Sequence, residues 1–213
     1  MDKNVHEMNK LKVKRAAEAL ADNNFEVITV EKAEYVIPTL TKLVKESDVV
    51  SVGGSMTLFE TGVIDWLRQC GCEFQDRYAP GLTGEQITEV FRKAFSCDVY
   101  LTSTNAITME GELVNVDGNG NRVAAMMFGP KSVVVIAGCN KIVPDLDAAM
   151  LRIQETAAPA NNIRLNTGNP CTAIGSCMDC KSAGRICRYT TVMSHLPANG
   201  RVKVILVEEE LGY

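Results

Sequence analysis

The segment KSVVVIAG, residues 131–138, decides the fold expected for this chain. It is an almost unbroken run of apolar and β-branched residues, which is typical of a strand buried on both faces of a parallel sheet. The segment VKVILV, residues 202–207, has the same character, and FEVITV, residues 25–30, alternates apolar and polar positions. These three segments predict the centre of a sheet.

Helices alternate with strands over most of the chain. Further strands are predicted at residues 47–55 and 98–104, and helices at residues 7–22 and 143–156. Pro144 and the acidic residues that follow it are typical of a helix start. This alternation predicts one α/β domain over residues 1–213, with a largely parallel sheet covered by helices on both faces.

One antiparallel insertion is expected in this domain. In residues 111–129, two apolar runs flank Asp117-Gly118-Asn119-Gly120, a sequence with strong turn chemistry. The segment therefore predicts a β-hairpin.

The composition argues against nucleic-acid and membrane partners. The net charge is −4, whereas general nucleic-acid binders carry an excess of basic residues. No segment approaches the roughly 18 apolar residues that a bilayer-spanning helix needs. The N-terminal residues are charged throughout and do not resemble a signal peptide. The expected location is the cytoplasm, where thiols stay reduced.

Residues 169–190 form a cysteine-rich excursion between the last predicted helix and the last strand. Cys171, Cys177, Cys180 and Cys187 have the spacing C-x5-C-x2-C-x6-C. Four thiolates suit a [4Fe–4S] cluster or a tetrahedral zinc ion. Uneven spacing favours the iron–sulfur cluster, because structural zinc sites more often pair two C-x2-C units. A segment without a ligand and a redox pair of Cys177 and Cys180 are the alternatives.

The other four cysteines give a weaker signal. Cys70 falls on the apolar face of a predicted helix, and Cys97 and Cys139 adjoin strands, so all three are expected to be small buried apolar residues. Cys72 follows Gly71 in a loop, and its residue type alone assigns it no role.

A glycine loop, Gly53-Gly54-Ser55, follows one predicted strand and opens a helix. Backbone N–H groups at such a helix start favour an anion, and Ser55 and Thr57 can add hydroxyl donors. Glu60 lies about one helical turn further on. Because the loop matches neither a P-loop nor G-x-G-x-x-G, a plain turn with a Ser or Thr N-cap is the alternative.

Polar residues also follow other predicted strands, at the edge where open α/β sheets bind ligands. Asn105 and Glu110 follow the strand at 98–104. The amide can bind a ligand and the carboxylate can act as a general base. An Asx turn and a solvated acid are the alternatives.

Three further polar residues are candidate anion ligands. Asn140 and Lys141 follow the strand at 131–138, and Lys141 can hold a phosphate or a carboxylate. Arg122, next to Asn121 at the base of the predicted hairpin, is either an anion clamp or a surface ion-pair partner. A solvated side chain is the alternative for Lys141.

Three long segments resemble the LUD-domain proteins of the lactate-utilization family: SVGGSMTLFETG, TSTNAITMEGELVNVDGNGNRVAAMMFGPKSVVVIAGCNKIV and AAPANNIRLNTGNPCTAIGSCMDCKSAGRIC. The resemblance implies a three-layer α/β fold similar to the sugar-phosphate isomerase, CoA-transferase and formyltetrahydrofolate cyclo-ligase group. The polar positions that match the family pattern are Gly53, Gly54, Ser55, Glu60, Asn105, Glu110, Asp117, Asn121, Arg122 and Lys141.

The resemblance also implies a function. Family members include components of a bacterial system that oxidises L-lactate to pyruvate through iron–sulfur proteins. The expected protein binds a small organic acid or phosphorylated metabolite and takes part in organic-acid oxidation or electron transfer. Its candidate catalytic residues are Glu60 and Glu110. Its candidate ligand-binding residues are Gly53, Gly54, Ser55, Thr57, Asn105, Asn121, Arg122, Asn140 and Lys141.

The partners follow from the same reasoning. The sequence has no flavin or nicotinamide motif, so an oxidoreductase component needs redox partner subunits. The alternative function is a non-catalytic ligand-binding or assembly component whose zinc or cluster site is structural. A homodimer is the assembly considered.

Overall fold

The structure is a computed structural model that describes residues 2–198 and 200–213. Its helices are α1 (Lys3–Asp22), α2 (Val36–Leu40), α3 (Met56–Glu60), α4 (Val63–Leu67), α5 (Gly84–Lys93), α6 (Asn121–Met127), α7 (Leu146–Arg152), α8 (Ala158–Arg164) and α9 (Cys171–Ile174). Its strands are β1 (Glu26–Val30), β2 (Val49–Val52), β3 (Glu73–Gln75), β4 (Val99–Thr102), β5 (Ala106–Thr108), β6 (Leu113–Asp117), β7 (Ser132–Gly138), β8 (Ile142–Val143), β9 (Tyr189–Met193) and β10 (Val202–Val207).

Strand β7, the segment KSVVVIAG of the sequence, lies inside a six-stranded sheet. The strand order is β1-β10-β7-β4-β2-β3, and every neighbouring pair is parallel. Residues 133–137 of β7 are fully buried. The predicted mostly parallel α/β sheet is therefore confirmed.

Alternate residues of β7 face two separate apolar layers. Val133 and Val135 pack in one layer with α1 and α6, whereas Val134 and Ile136 pack in the other with α2, α3 and α4. Successive strand residues point to opposite faces of a sheet, so a continuous apolar strand requires helices on both sides. Full burial of each such side chain stabilises the fold by roughly 1.5–3 kcal/mol.

A second, four-stranded sheet has the order β8-β5-β6-β9. Strands β5 and β6 form an antiparallel pair, as do β6 and β9, while β5 and β8 are parallel. This sheet packs against the helical run of residues 146–164 through a small cluster that includes Val114 and Ile153. This sheet adjoins the carboxyl end of β4, because three residues separate the end of β4 from the start of β5.

The hairpin predicted over residues 111–129 is wrong in its second half. Its first apolar run is β6, but its second run is helix α6. Gly120 adopts a left-handed conformation with φ of 79°, and Asp117 Oδ2 accepts the N–H groups of Arg122 and Val123 at 3.1 Å each. This side-chain capping starts a helix where the turn residues suggested a return strand. The hairpin that exists instead joins β5 to β6.

The predicted helix at 143–156 is the first half of a longer helical run. Helix α7 continues through a π-helical turn, Ile153–Ala157, into α8. In π-helical hydrogen bonding, the carbonyl of residue 154 would accept the N–H of residue 159. Residue 159 is a proline and has no N–H, so the Gln154 carbonyl is left for another donor.

Helix α1 is the longest helix and is amphipathic. It buries Val13, Ala16 and Leu20 against the sheet and leaves most of its charged residues exposed. Among residues 2–198 and 200–213, no helix combines the length and apolar character that a bilayer crossing requires.

Gly138, the last residue of β7, offers a test of how tightly the chain packs at the carboxyl end of this strand. A Cβ atom there would lie 2.5 Å from the Glu209 carbonyl oxygen and from the Leu211 nitrogen. We expect Gly138→Ala to lower the free energy of unfolding by about 1–3 kcal/mol in urea denaturation.

The matched control for this substitution is Gly84→Ala at the first position of α5. No heavy atom lies within 4 Å of a Cβ built there, so we expect stability to stay unchanged or to rise by up to about 1 kcal/mol. Equal unfolding free energies for the two variants would contradict the packing described for β7.

Candidate anion site and cysteine site

A cavity of about 220 Å³ opens at the carboxyl ends of β2, β4 and β7. This is the edge where open parallel sheets bind ligands. The loops after those strands contribute Gly54, Ser55, Ser103, Asn105 and Lys141, and the other walls come from the β6–α6 turn, α8 and the C-terminal residues.

The cavity wall is rich in positive charge. The basic residues Arg77, Arg122, Lys141 and Arg164 all line it, and among the described lining residues Asp117 is the one acidic side chain. Opposite charges interact more strongly in a partly enclosed site than in water. The excess of cations makes this cavity suited to an anion.

Arg122 is buried, with 8% of its surface exposed, and its guanidinium is held from several sides. It donates to the Asn105 side-chain oxygen at 3.1 Å, to the Val116 carbonyl at 3.0 Å and to the Asn115 side-chain oxygen. Its Nε lies 3.9 Å from Asp117 Oδ2. Burial lowers its pKa, against the opposing effect of Asp117.

Gly53 makes room for this arginine. A Cβ atom at residue 53 would lie 2.6 Å from the Thr102 hydroxyl oxygen and 3.1 Å from the Arg122 side chain. The glycine of the predicted GGS loop therefore allows the Arg122 stem to pass close to the backbone. Gly53 acts through this packing, while Gly54 and Ser55 line the cavity itself.

Lys141 is the most enclosed cation of the cavity, with 2% of its surface exposed. Its Nζ donates to the Thr57 hydroxyl at 3.0 Å and to the Ser103 hydroxyl at 2.9 Å. Burial, followed by the charges of Arg152 and Arg122, lowers its pKa to about 7, and Glu60 opposes that shift. The amine therefore changes charge near neutral pH.

Two buried polar atoms at the cavity lack partners. Within residues 2–198 and 200–213, Ser55 Oγ and Arg77 Nε make no hydrogen bond. The Arg77 guanidinium lies over the ring of Phe91 at 4.4 Å and beside that of Tyr78 at 5.3 Å. Leaving buried polar groups unpaired costs about 1–3 kcal/mol each. A bound anion with acceptor oxygens would remove part of that cost.

Apart from Gly53 and Glu110, the residues predicted to bind a ligand or to act in catalysis fall into three groups. Gly54, Ser55, Asn105, Asn121, Arg122 and Lys141 line the cavity. Thr57 lies behind Lys141 as its hydrogen-bond acceptor. The other predicted residues hold the C-terminal segment against this edge of the sheet: the Asn140 amide bonds to Gly212 O and Leu211 N, and Glu60 accepts the Gly212 N–H at 2.6 Å.

Glu110 lies apart from these residues. It is exposed in the turn between β5 and β6, and its carbonyl accepts the Asn23 side chain at 2.8 Å. Its position after a strand suggested the ligand-binding edge, but a further short strand, β5, carries the chain into the second sheet first. The expectation that Glu110 lies beside Asn105 at the ligand-binding edge is therefore wrong, because Asn105 lines the cavity and Glu110 does not.

Other lining residues were not predicted from the sequence: Arg77, Ser103, Thr104, Asn161, Arg164 and Tyr213. Arg77 follows the edge strand β3, and Arg164 ends α8. Neither residue sits in a motif. In the sequence, Arg77 and Arg164 look like ordinary surface arginines. They could not be predicted as site residues, because the packing of distant elements brings them to this cavity.

The four cysteines of the excursion line a second, smaller cavity beside α8. Cys171 is buried, and Cys177, Cys180 and Cys187 are half-buried. In the described part of the chain, no group of three or more His, Cys, Asp or Glu side chains has the arrangement needed to hold one metal ion. The structure thus brings the four thiols to one cavity without focusing them on a single point.

Polar anchors hold this cysteine segment in place. The Cys177 N–H donates to the Gln154 carbonyl, which Pro159 leaves free, at 3.1 Å. Arg185 donates to the carbonyls of Cys180 and Cys187 at 2.6 and 2.7 Å. Hydrogen bonds from Ser182 lower the pKa of the Cys180 thiol, whereas burial raises those of Cys171 and Cys187.

The two cavities share a wall. Ile186 lines both of them, and on α8 Ala158 and Asn162 face the cysteine cavity while Asn161 faces the anion cavity. The Arg188 N–H donates to the Asp117 carbonyl at 3.0 Å. The segment that carries Cys187 is therefore tied directly to the loop that caps α6 and faces Arg122.

Comparison with known proteins decides the family. The family model described as the LUD domain matches residues 13–207. The chain belongs to the LUD-domain family. Among curated protein sequences, none matches this LUD-domain chain. A crystal structure of a DUF162 family protein from Deinococcus radiodurans is similar in fold, with 15% sequence identity and a TM-score of 0.54 over 93% of this chain and 98% of that one.

The buried lysine of the LUD domain gives a prediction on stability. The unfolded chain holds the Lys141 proton up to about pH 10.4, whereas the folded chain releases it near pH 7. Between these values the unfolded state binds more protons, so stability rises with pH. We expect the unfolding free energy of the wild type, relative to Lys141→Met, to rise by up to about 1.4 kcal/mol per pH unit in this range.

The measurement is urea denaturation of the two proteins at matched pH values. Other titrating groups contribute equally to both proteins and cancel in the difference. Lys10→Met on the exposed face of α1 is the control for loss of a lysine side chain. If the difference in unfolding free energy between the wild type and Lys141→Met does not change with pH, the lowered pKa of Lys141 is wrong.

Proposed function

We propose that this LUD-domain protein binds a small anionic metabolite, an organic acid or a phosphorylated compound, in the cavity at the carboxyl edge of the main sheet. The observation that carries the proposal is the set of three arginines and one lysine around that cavity, with Asp117 as the one acidic side chain among its described lining residues. The volume of about 220 Å³ favours a small metabolite, because drug-sized ligands occupy pockets of roughly 300–1,000 Å³.

Each cation has a distinct part in this proposal. Arg77 and Arg164 are the more accessible guanidinium groups and would meet the anion first. Arg122 is fixed by Asn105 and Asn115, so it presents charge from a rigid position. Lys141 lies deepest, and a negative charge beside it would raise its pKa. Binding near neutral pH would therefore take up a proton.

The proposed class of metabolite follows from family membership together with this chemistry. The lactate-utilization role that the family resemblance implies concerns a 2-hydroxy acid and a 2-oxo acid, and both carry a carboxylate suited to Arg77, whose Nε has no partner in the described structure. Ser55, Asn105 and Asn121 offer hydrogen bonds to the neighbouring hydroxyl or carbonyl oxygen. A phosphorylated metabolite would use the same cations, so the ligand panel must contain both kinds.

Removal of one cation tests the proposal. We expect Arg77→Gln to weaken binding of the preferred anion about tenfold to a hundredfold, because a hydrogen bond to a charged group contributes about 1.5–3 kcal/mol. Binding is measured by isothermal titration calorimetry with L-lactate, pyruvate, a sugar phosphate and inorganic phosphate. Proton uptake is read from the same titrations in buffers of different ionisation enthalpy.

The control is Arg92→Gln. Arg92 is an exposed arginine on α5 that pairs with Glu89 at 3.1 Å. We expect its replacement to leave the affinity for the anion unchanged. If none of the four compounds binds the wild-type protein, or if both variants weaken binding equally, the anion-site proposal is wrong.

We also propose that Cys171, Cys177, Cys180 and Cys187 hold a [4Fe–4S] cluster, with zinc as the alternative. Four thiols line one cavity, and a cubane suits thiols that do not converge on one point, because each sulfur binds a different iron atom. When bound, such a cluster supplies one-electron redox chemistry. The protein's own contribution is the Arg185 and Gln154 contacts that fix the backbone between the cysteines.

An electron-transfer component of organic-acid oxidation is the function that combines both sites. Their shared wall would keep the bound anion within a short distance of the cluster, separated from it by Ile186. Redox partner subunits would then accept the electrons. The competing function is a ligand-binding or assembly component in which the thiol site is structural. The homodimer remains a prediction from the sequence.

A cysteine substitution tests the second site. We expect anaerobically reconstituted wild-type protein to contain iron and sulfide in equal amounts, with the broad visible absorption of an iron–sulfur cluster. Cys180→Ser should lose most of both while keeping its fold by circular dichroism. Stoichiometric zinc without visible absorption would favour the structural site instead.

The matched control for Cys180→Ser is Cys72→Ser. Cys72 lies outside the cavity lined by the four cysteines, so its replacement should leave iron and sulfide unchanged. Equal metal loss in both variants would mean that the quartet is not the binding site.

A further inference from the structure

Cys70 and Cys72 form a thiol pair outside the two sites described above. Their Sγ atoms lie 2.7 Å apart, and each side chain is half-buried. Cys70 follows the end of α4, and Cys72 immediately precedes the edge strand β3. The sequence suggested that Cys70 is a small buried apolar residue and gave Cys72 no role, but the fold turns the two side chains toward each other.

Gly71 produces this approach. It adopts a left-handed conformation with φ of 84°, which L residues rarely adopt and glycine adopts at no steric cost. The resulting tight turn brings both sulfurs to the Leu67 carbonyl, at 3.5 Å from Cys70 Sγ and 4.0 Å from Cys72 Sγ. The two thiols are therefore held on the same side of the backbone.

The two sulfurs are closer than the sum of their van der Waals radii. Thiols at this separation repel each other, and a disulfide bond of about 2.05 Å would remove that repulsion. Burial, followed by the hydrogen bond to Cys70, raises the pKa of Cys72 to about 12. The Cys72 thiol is thus not stabilised as a thiolate, whereas the strongly oxidising dithiols owe their character to such stabilisation.

A disulfide here would contribute little as a structural staple. Disulfide stabilisation grows with the number of residues in the closed loop, and about 3 kcal/mol is expected for a loop of roughly 15 residues. The loop between Cys70 and Cys72 contains Gly71 alone. The pairing therefore points to exchange chemistry rather than to stabilisation of the fold.

We propose that Cys70 and Cys72 form a reversible dithiol–disulfide site that exchanges with low-molecular-weight disulfides. One cysteine sulfur attacks the small disulfide, forms a mixed disulfide and releases one small thiol. The second cysteine then attacks the mixed disulfide, which closes the bond between Cys70 and Cys72 and releases the second thiol. Two electrons and two protons pass from the protein to the small disulfide, which is reduced to two thiols.

The experiment uses the full-length protein equilibrated anaerobically in mixtures of reduced and oxidised glutathione. Free thiols are then trapped with an alkylating reagent, and the protein is digested with trypsin. Trypsin cleaves after Arg68 and after Arg77, so residues 69–77 form one peptide whose cysteines are Cys70 and Cys72. Mass spectrometry of this peptide reads the state of the pair without interference from the other cysteines.

We expect the peptide to carry two alkyl groups in reducing mixtures. In oxidising mixtures it should carry none and be lighter than the unmodified peptide by two hydrogen atoms, and dithiothreitol should reverse the change. Two alkyl groups at every ratio, or a stable glutathione adduct without closure, would overturn the proposal. The peptide that contains the buried Cys97 is the internal control and should show no disulfide.

The double variant Cys70→Ser/Cys72→Ser separates this site from the other two. We expect it to bind the anion and to retain iron and sulfide like the wild type, since neither residue lines either cavity. Loss of either property would mean that the pair supports one of the described sites instead of acting as an independent redox site.

Discussion

Burial of β7 on both faces is the constraint on which the rest of this structure depends. Its side chains alternate between two apolar layers, so helices must cover the sheet on each side. Parallel pairing with β10 and β4 then brings the carboxyl ends of neighbouring strands to one edge. The loops that follow β2, β4 and β7 meet there, and that meeting creates the anion cavity.

The cavity places positively charged side chains in a buried environment, where a charge loses its hydration. Arg122 and Lys141 are buried, yet Asp117 Oδ2 lies 3.9 Å from Arg122 Nε, beyond hydrogen-bonding distance, and Lys141 donates to two hydroxyl groups. Amide oxygens, carbonyls and hydroxyl groups solvate them instead, which compensates for lost water without cancelling the positive potential. Such an arrangement is of little use for stability alone, and it suits recognition of an anion.

The cysteine segment depends on the main body of the fold for its shape. It has one short helix, α9, and its backbone is held by the carbonyls of Gln154 and Asp117, which belong to other elements. The free carbonyl of Gln154 arises because Pro159 follows the π-helical turn. If binding of the proposed inorganic centre moved residues 185–188, the hydrogen bond from the Arg188 N–H to the Asp117 carbonyl would pass that movement to the loop that faces Arg122.

Local sequence patterns were enough to predict the two helical layers and the polar residues at the strand ends. Continuous apolar strands, helical periodicity and the GGS and Asn140-Lys141 loops all act through nearby residues, so pattern reasoning located them. The second half of the predicted hairpin was wrong because Asp117 caps a helix there, through two side-chain hydrogen bonds and with Met126 buried.

Tertiary packing brings Arg77 and Arg164 to the cavity and leaves Glu110 outside it. Likewise, only the left-handed turn at Gly71 set Cys70 against Cys72. These outcomes depend on how distant elements pack and on backbone conformation, and the local spacing of residues predicts neither of them.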